Sequence, residues 1–90
     1  MSYSLKRLED GAGDSGPMSE SIEWKENGDH IITPDSRPIV GQSMKVGSYT
    51  SRSYSSQDWW LTTPVSIILD EQENLVTFKT GNSVYEWRQS

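Results

Sequence analysis

The sequence predicts a mainly β protein: a small twisted antiparallel sheet that rolls into an SH3-like barrel or half-barrel, with a flexible N-terminal segment. Three observations lead there. Leu75 to Arg88 sets two β-prone runs around Gly81-Asn82, and Gly and Asn tolerate the positive φ of tight hairpin turns. Val65 to Leu69 is a second β-rich run just upstream. No segment carries a helical pattern of ordinary length, and there are no internal repeats.

The hairpin comes first because its register can be read. With Thr80 opposite Ser83, Phe78 meets Tyr85 and Val76 meets Trp87, all on one face, since side chains alternate along a strand. Lys79, Thr77, Glu86 and Arg88 take the other face, beside Val84 and Leu75. A one-residue slip would scramble that sorting. A loop from Glu71 to Asn74 then pairs Leu69 with Val76, Ile67 with Phe78 and Val65 with Thr80. That puts Val65, Ile67 and Leu69 on the same core face. Pro64 cannot donate to a ladder, so this strand starts at or just after it.

Upstream, Met44 to Tyr49 reads as a further strand, with Met44, Val46 and Ser48 on one side and Lys45 and Tyr49 on the other. Gly47 marks a bulge or the close approach of another backbone. Pro34 to Ser43 reads as a loop over one end of the sheet. Ser21 to Thr33 holds Asn27-Gly28 between short arms and reads as a second hairpin, anchored to the core by Trp24. Residues 1–20 read as a flexible segment ahead of one small β domain at 21–90. Tyr3, Leu5 and Leu8 outline at most two helical turns ended by Gly11, too short to hold without docking. The Gly-Ala-Gly-Asp-Ser-Gly-Pro that follows has linker composition.

Composition narrows the function classes. The 90 residues suffice for one modest core, and 32% apolar content leaves part of the chain expected not to pack. The absence of cysteine removes disulfides and thiolate zinc sites and fits a reducing compartment. No apolar run is long enough to span a bilayer, and the N-terminus lacks the apolar core of a secretory signal. The expected location is therefore cytosolic, with no membrane partner. A net charge of −5 opposes a generic phosphate-backbone binder. Mimicry of nucleic acid would want dense acidic runs, whereas these acids are scattered among Lys and Arg.

Catalytic signatures are missing. His30 has no second ligand type nearby, so neither metal nor acid–base work is expected of it. Asp70, Glu71 and Glu73 fit no calcium loop and read as a solvated turn. Ser53 to Ser56 have no evident base. Gly11, Gly13 and Gly16 spell G-x-G-x-x-G, but no strand precedes them and Pro17 follows, so the dinucleotide-binding context is absent. No enzyme activity and no cofactor are expected.

The aromatic signal is stronger. Trp59 and Trp60 are adjacent, so in an extended chain they point to opposite faces. Parity carried back from Val65 turns Trp59 inward and Trp60 outward, unless Pro64 breaks it. The outward indole either packs under the N-terminal segment or forms a contact patch with Tyr49, Arg52 and Tyr54 around the polar stretch Thr50 to Asp58. Trp, Tyr and Arg dominate interface energetics. Arg52 also suits a nucleobase or a phosphate.

Lys45 to Ser48, Ser56 to Val65, Val76 to Thr80 and Asn82 to Trp87 together resemble small accessory proteins of tailed bacteriophages. The similarity covers about the C-terminal half and carries over no catalytic or binding residue. It implies a small protein of the bacterial host cytoplasm that binds and blocks a host enzyme or defence component, or sequesters a nucleotide signal.

The expected function is thus a non-enzymatic binding protein that inhibits or modulates a bacterial host protein through Trp60, Arg52, Tyr54, Tyr49 and Trp59. Trp60→Ala or Arg52→Glu should then lose the partner and keep the fold. The alternatives are a nucleotide or single-stranded nucleic-acid binder using aromatic stacking, and a phage structural or assembly part that forms homo-oligomers through an open sheet edge.

Overall fold

The computed structural model describes residues 2–48 and 58–90. Nine strands and no helix occur among them: β1 (Tyr3–Arg7), β2 (Gly13–Gly16), β3 (Met18–Trp24), β4 (His30–Thr33), β5 (Ser43–Ser48), β6 (Asp58–Leu61), β7 (Val65–Glu71), β8 (Leu75–Thr80) and β9 (Val84–Gln89). They form two antiparallel sheets, one of order β2-β1-β9-β8-β7 and one of order β4-β3-β5-β6. The expected small antiparallel β fold is present. It is two sheets across one core, not one sheet rolled up, and no closed barrel forms.

The β8–β9 hairpin has the register its alternation predicts, with Phe78 opposite Tyr85 and Val76 opposite Trp87. The Thr80 amide donates to the Ser83 carbonyl at 2.9 Å. The turn itself works differently from expectation, since neither Gly81 nor Asn82 has a positive φ. The Thr80 hydroxyl oxygen instead accepts from the Asn82 and Ser83 amides, at 3.4 and 3.3 Å. A local side-chain acceptor replaces the left-handed backbone.

β7 departs further from its predicted pairing. Val65 does lie opposite Thr80, but register shifts after Val65 and after Ile68 put Ile68, not Ile67, opposite Phe78. Ile67 and Leu69 are exposed, and Ile68 packs on the core. Each bulge inserts a residue and flips the faces beyond it. The loop is shorter than expected too, because Glu71 is paired with Val76 and the Gln72 amide reaches the Leu75 carbonyl.

Residues 1–20, expected as a flexible segment with a short helix, hold β1, β2 and the start of β3. β1 lies between β2 and β9, with Leu5 opposite Trp87. Tyr3-Ser-Leu-Lys-Arg alternates buried and exposed residues, which is strand patterning. The glycines behind it permit close packing. A methyl group on Gly13 would lie 1.9 Å from the Leu5 carbonyl oxygen, and one on Gly16 would lie 2.3 Å from that of Gly47. Gly47 thus marks a close backbone approach, as its place in a strand suggests.

The core joins both sheets. Tyr3, Leu5, Val65, Val76, Phe78, Tyr85 and Trp87 of the first meet Met44 and Val46 of the second. Trp87 pins the two together: its Nε1 donates to Ser19 Oγ on β3 at 2.9 Å, and Ser19 Oγ donates onward to the Ser36 carbonyl at 2.8 Å. Arg37, in the loop after β4, lies over the Trp87 ring and pairs with Glu71. That loop covers one end of the core, as expected for Pro34 to Ser43, and its Gly41 amide bonds the Val65 carbonyl.

Candidate interaction surface

Cross-strand partners share a face of a sheet, so the registers of β3–β6 sort every side chain of the second sheet. Ser19 and Ser21 pair with Val46 and Met44, and Val46 pairs with Trp60. These residues face the core. The outer face therefore holds Met18, Glu20, Ile22 and Trp24 of β3, His30 and Ile32 of β4, Ser43 and Lys45 of β5, and Trp59 and Leu61 of β6, with Met18 buried.

The two indoles are thus placed opposite to the parity carried back from Val65. Trp60 packs against the core, and Trp59 is on the outer face. The reason is a change of sheet. The chain leaves the second sheet after Leu61 and enters the first at Val65, so alternation does not carry across Thr62 to Pro64. Arg7 of the N-terminal strand lies over Trp60, 5.1 Å from the ring centroid. With its ring against the core, Trp60→Ala is expected to cost stability. Tyr49, Arg52 and Tyr54, the other residues of the predicted patch, lie outside the described residues.

Trp24, expected to anchor its hairpin in the core, is on this outer face instead, half exposed. Its Nε1 donates to Ser43 Oγ at 2.9 Å, and its ring lies 5.4 Å from that of His30. Lys45 Nζ sits 4.3 Å from the centroid of Trp59, within cation–π range. Between them Ile22 and Glu20 are nearly buried, whereas Trp24, Leu61 and Ile32 are 49, 45 and 43% exposed. The result is a largely apolar, aromatic face that also carries Lys45, His30 and the nearly buried Glu20.

The outer face of the other sheet is different. It presents Ser4, Lys6, Thr77, Lys79, Glu86 and Arg88, with half-buried Leu75 and Val84 and an exposed Ile67 among them, and Arg88 Nε donates to Glu86 at 2.9 Å. Charged neighbours of opposite sign across strands describe a solvated surface.

Trp24, His30, Ile32, Leu61 and Lys45 were not singled out from sequence as a surface. The available signal was Ile31-Ile32, an adjacent apolar pair whose members must point to opposite faces, as with Trp59-Trp60.

Nothing among the described residues gathers catalytic groups. No set of three His, Cys, Asp or Glu side chains could hold a metal ion. A cleft of about 570 Å³ is lined by Tyr3, Pro17, Asp35 and Gln89, with no nucleophile beside a base. No helix is long and apolar enough to cross a membrane. No protein-family model, no curated protein and no solved structure matches the chain.

Proposed function

We propose that this chain is a non-enzymatic, phage-encoded binding protein that engages a bacterial host protein in the host cytoplasm, and inhibits or modulates it, through the outer face of β3–β6. One observation supports the reading: the two outer faces are unequal. One carries mostly paired charges, with Ile67 exposed beside Lys79, and the other carries two tryptophans, Trp24 with Ile32 toward one end and Trp59 with Leu61 toward the other. Exposed apolar groups on a sheet face mark candidate interaction sites, and tryptophan is enriched among hot-spot residues. Stacking of nucleobases on Trp59 is less favoured, since Lys45 already covers that ring.

The test is affinity capture from bacterial lysate, with Trp24→Glu/Leu61→Glu beside wild type and Lys79→Ser as the control on the opposite face. Circular dichroism verifies that each variant is folded. A host protein held by wild type and Lys79→Ser, and lost from the double variant, is the expected outcome. Equal capture by all three would refute the surface. Retention of a nucleotide would replace a protein partner with a small ligand.

A further inference from the structure

The two sheets have four edge strands, β2, β7, β4 and β6. An open edge invites another strand unless it is guarded. β2 and β6 guard each other, because β2 packs across β5 and β6 with Gly16 against Gly47. β7 is guarded by its two register shifts. Among the described residues β4, four residues long, has neither a strand packed across its edge nor a register shift. It is regularly paired with β3, contains no proline and no Lys, Arg, Asp or Glu, and all of its residues are exposed.

Its free hydrogen-bonding groups can be assigned. The Lys25 amide donates to the Asp29 carbonyl at 2.8 Å, and the Gly28 amide to the Lys25 carbonyl at 3.1 Å, with Gly28 at φ 91°. The first bond makes 25:29 a bonded position and fixes the phase of the ladder, and the second closes the turn. Bonded and non-bonded pairs alternate in antiparallel strands, so Ile31 and Thr33 bond to Glu23 and Ser21. The N–H and C=O groups of His30 and Ile32 therefore point away from β3, into the open edge. Their side chains lie on the outer face, next to Trp24 and Ile22.

We infer that β4 receives an extended segment of a partner protein as an added antiparallel strand, and that the segment is apolar at alternate positions and flanked by Lys or Arg. The charge of the rim argues for the flanks. Glu23, Glu26, Asp29 and Asp35 are exposed around the edge. Of the nearby cations among the described residues, Arg37 is already engaged by Glu71 and by the Gln72 and Glu73 carbonyls, leaving Lys25. The same rim disfavours a second copy. The two-fold pairing with the fullest overlap sets His30 opposite Ile32 of the copy, and so brings Asp29 beside Thr33 and toward Asp35 of a chain that also carries a net −5. A basic segment removes that repulsion and continues the apolar outer face past Ile32. Main-chain bonds then supply affinity and alternate side chains supply specificity.

This inference rests on the outer-face reading above, and its test separates the two. The probe is the synthetic peptide Lys-Arg-Thr-Val-Thr-Val-Thr-Arg-Lys with blocked ends, added to the whole ¹⁵N-labelled chain. Binding should slow exchange of the His30 and Ile32 amides by about tenfold or more, as burial in a ladder does. N-methylation of one alternate set of peptide amides should weaken binding about tenfold, while methylation of the other set leaves it nearly unchanged, since only one set faces β4. Glutamate in place of the flanking Lys and Arg should also weaken it about tenfold, and added salt should narrow that gap. No response at His30 and Ile32 at millimolar peptide, or equal loss with both methylated sets, overturns the inference. Protection of those amides that grows with protein concentration alone overturns it in favour of a second copy. A captured host protein that perturbs the Trp24 and Trp59 indoles but leaves both amides unprotected keeps the outer-face reading and discards the added strand.

Discussion

Arg7 contacts one side chain near in sequence and one far. Its Nε and Nη2 donate to the two carboxylate oxygens of Asp10, at 3.0 and 2.6 Å, and its guanidinium lies over Trp60. The hydrogen bonds from Arg7, helped by the Ala12 amide, lower the Asp10 carboxyl from 3.8 to about 2. The bond to Asp10 raises the Arg7 pKa, so the guanidinium keeps its charge at every working pH. Because the folded pKa lies below the unfolded one, the contribution of Asp10 to stability is complete above the ordinary value and disappears as pH falls through about 2. Both groups are solvent-accessible, so the effect is small. Carbon-13 titration should find the depressed Asp10 midpoint in wild type and a value nearer 3.8 in Arg7→Ala. An unchanged midpoint would mean the bidentate pair does not persist in solution. The Arg7–Asp10 pair is a three-residue relation open to inspection in the sequence, but the strand that positions it was read as a tail. Facing of single residues was legible where alternation ran unbroken, as at Phe78 and Tyr85. It failed at Trp59 and Trp60, where the chain changes sheets between them and the nearest reference residue.

Among the elements, β2 is the one most restricted in sequence. Gly13 and Gly16 look like linker residues, yet each sits where a Cβ would strike backbone. Gly16→Ala is expected to destabilise by roughly 1–3 kcal/mol, the usual range for overpacking, because a carbonyl cannot step aside as a side chain can. Gly81→Ala should stay within about 0.5 kcal/mol, because nothing lies within 4 Å of where the added methyl group would stand and its φ is ordinary. Urea unfolding of the two variants decides it, and similar midpoints would mean that β2 is not held against β5. Hairpins were the legible elements because their information is local: two β-prone arms and a short polar turn identify β3–β4 and β8–β9. The bulges in β7 left no comparable mark. Val65-Ser-Ile-Ile-Leu is compatible with several registers, and the choice among them is made by which residue packs against Phe78.

For the molecule as a whole, Trp87 is the largest side chain that is fully buried, and it is the one whose loss reaches both sheets. Trp87→Phe keeps a ring in the core but leaves Ser19 without its indole donor. A cost of roughly 1–3 kcal/mol is expected, the usual consequence of a buried polar group losing its partner. Double replacement with Ser19→Ala should recover part of that loss, and a double-mutant cycle with no coupling would rule out the bond as the pin between sheets. This organisation was the least legible part of the sequence. Patterning tells a strand which side is wet, but it does not say which sheet the strand joins. Assigning Met44–Ser48 to a sheet apart from the β7–β9 meander, and β1 to the flank of β9, depends on contacts between residues distant in sequence.

The pairing of β1 with β9, with Tyr3 opposite Gln89, also has a temporal consequence. A ribosome adds about 5–20 residues each second, so β1 emerges roughly four to sixteen seconds before the strand it must lie against. During that interval the hairpin of β1 and β2 can form but has no neighbour on its β9 side, and Leu5 has no Trp87 to cover it. The second sheet meets no such delay, since β3 through β6 emerge in succession and pair among themselves. Synthesis therefore favours an order in which the sheet of β3 to β6 takes shape first and the other sheet is completed only when β9 arrives.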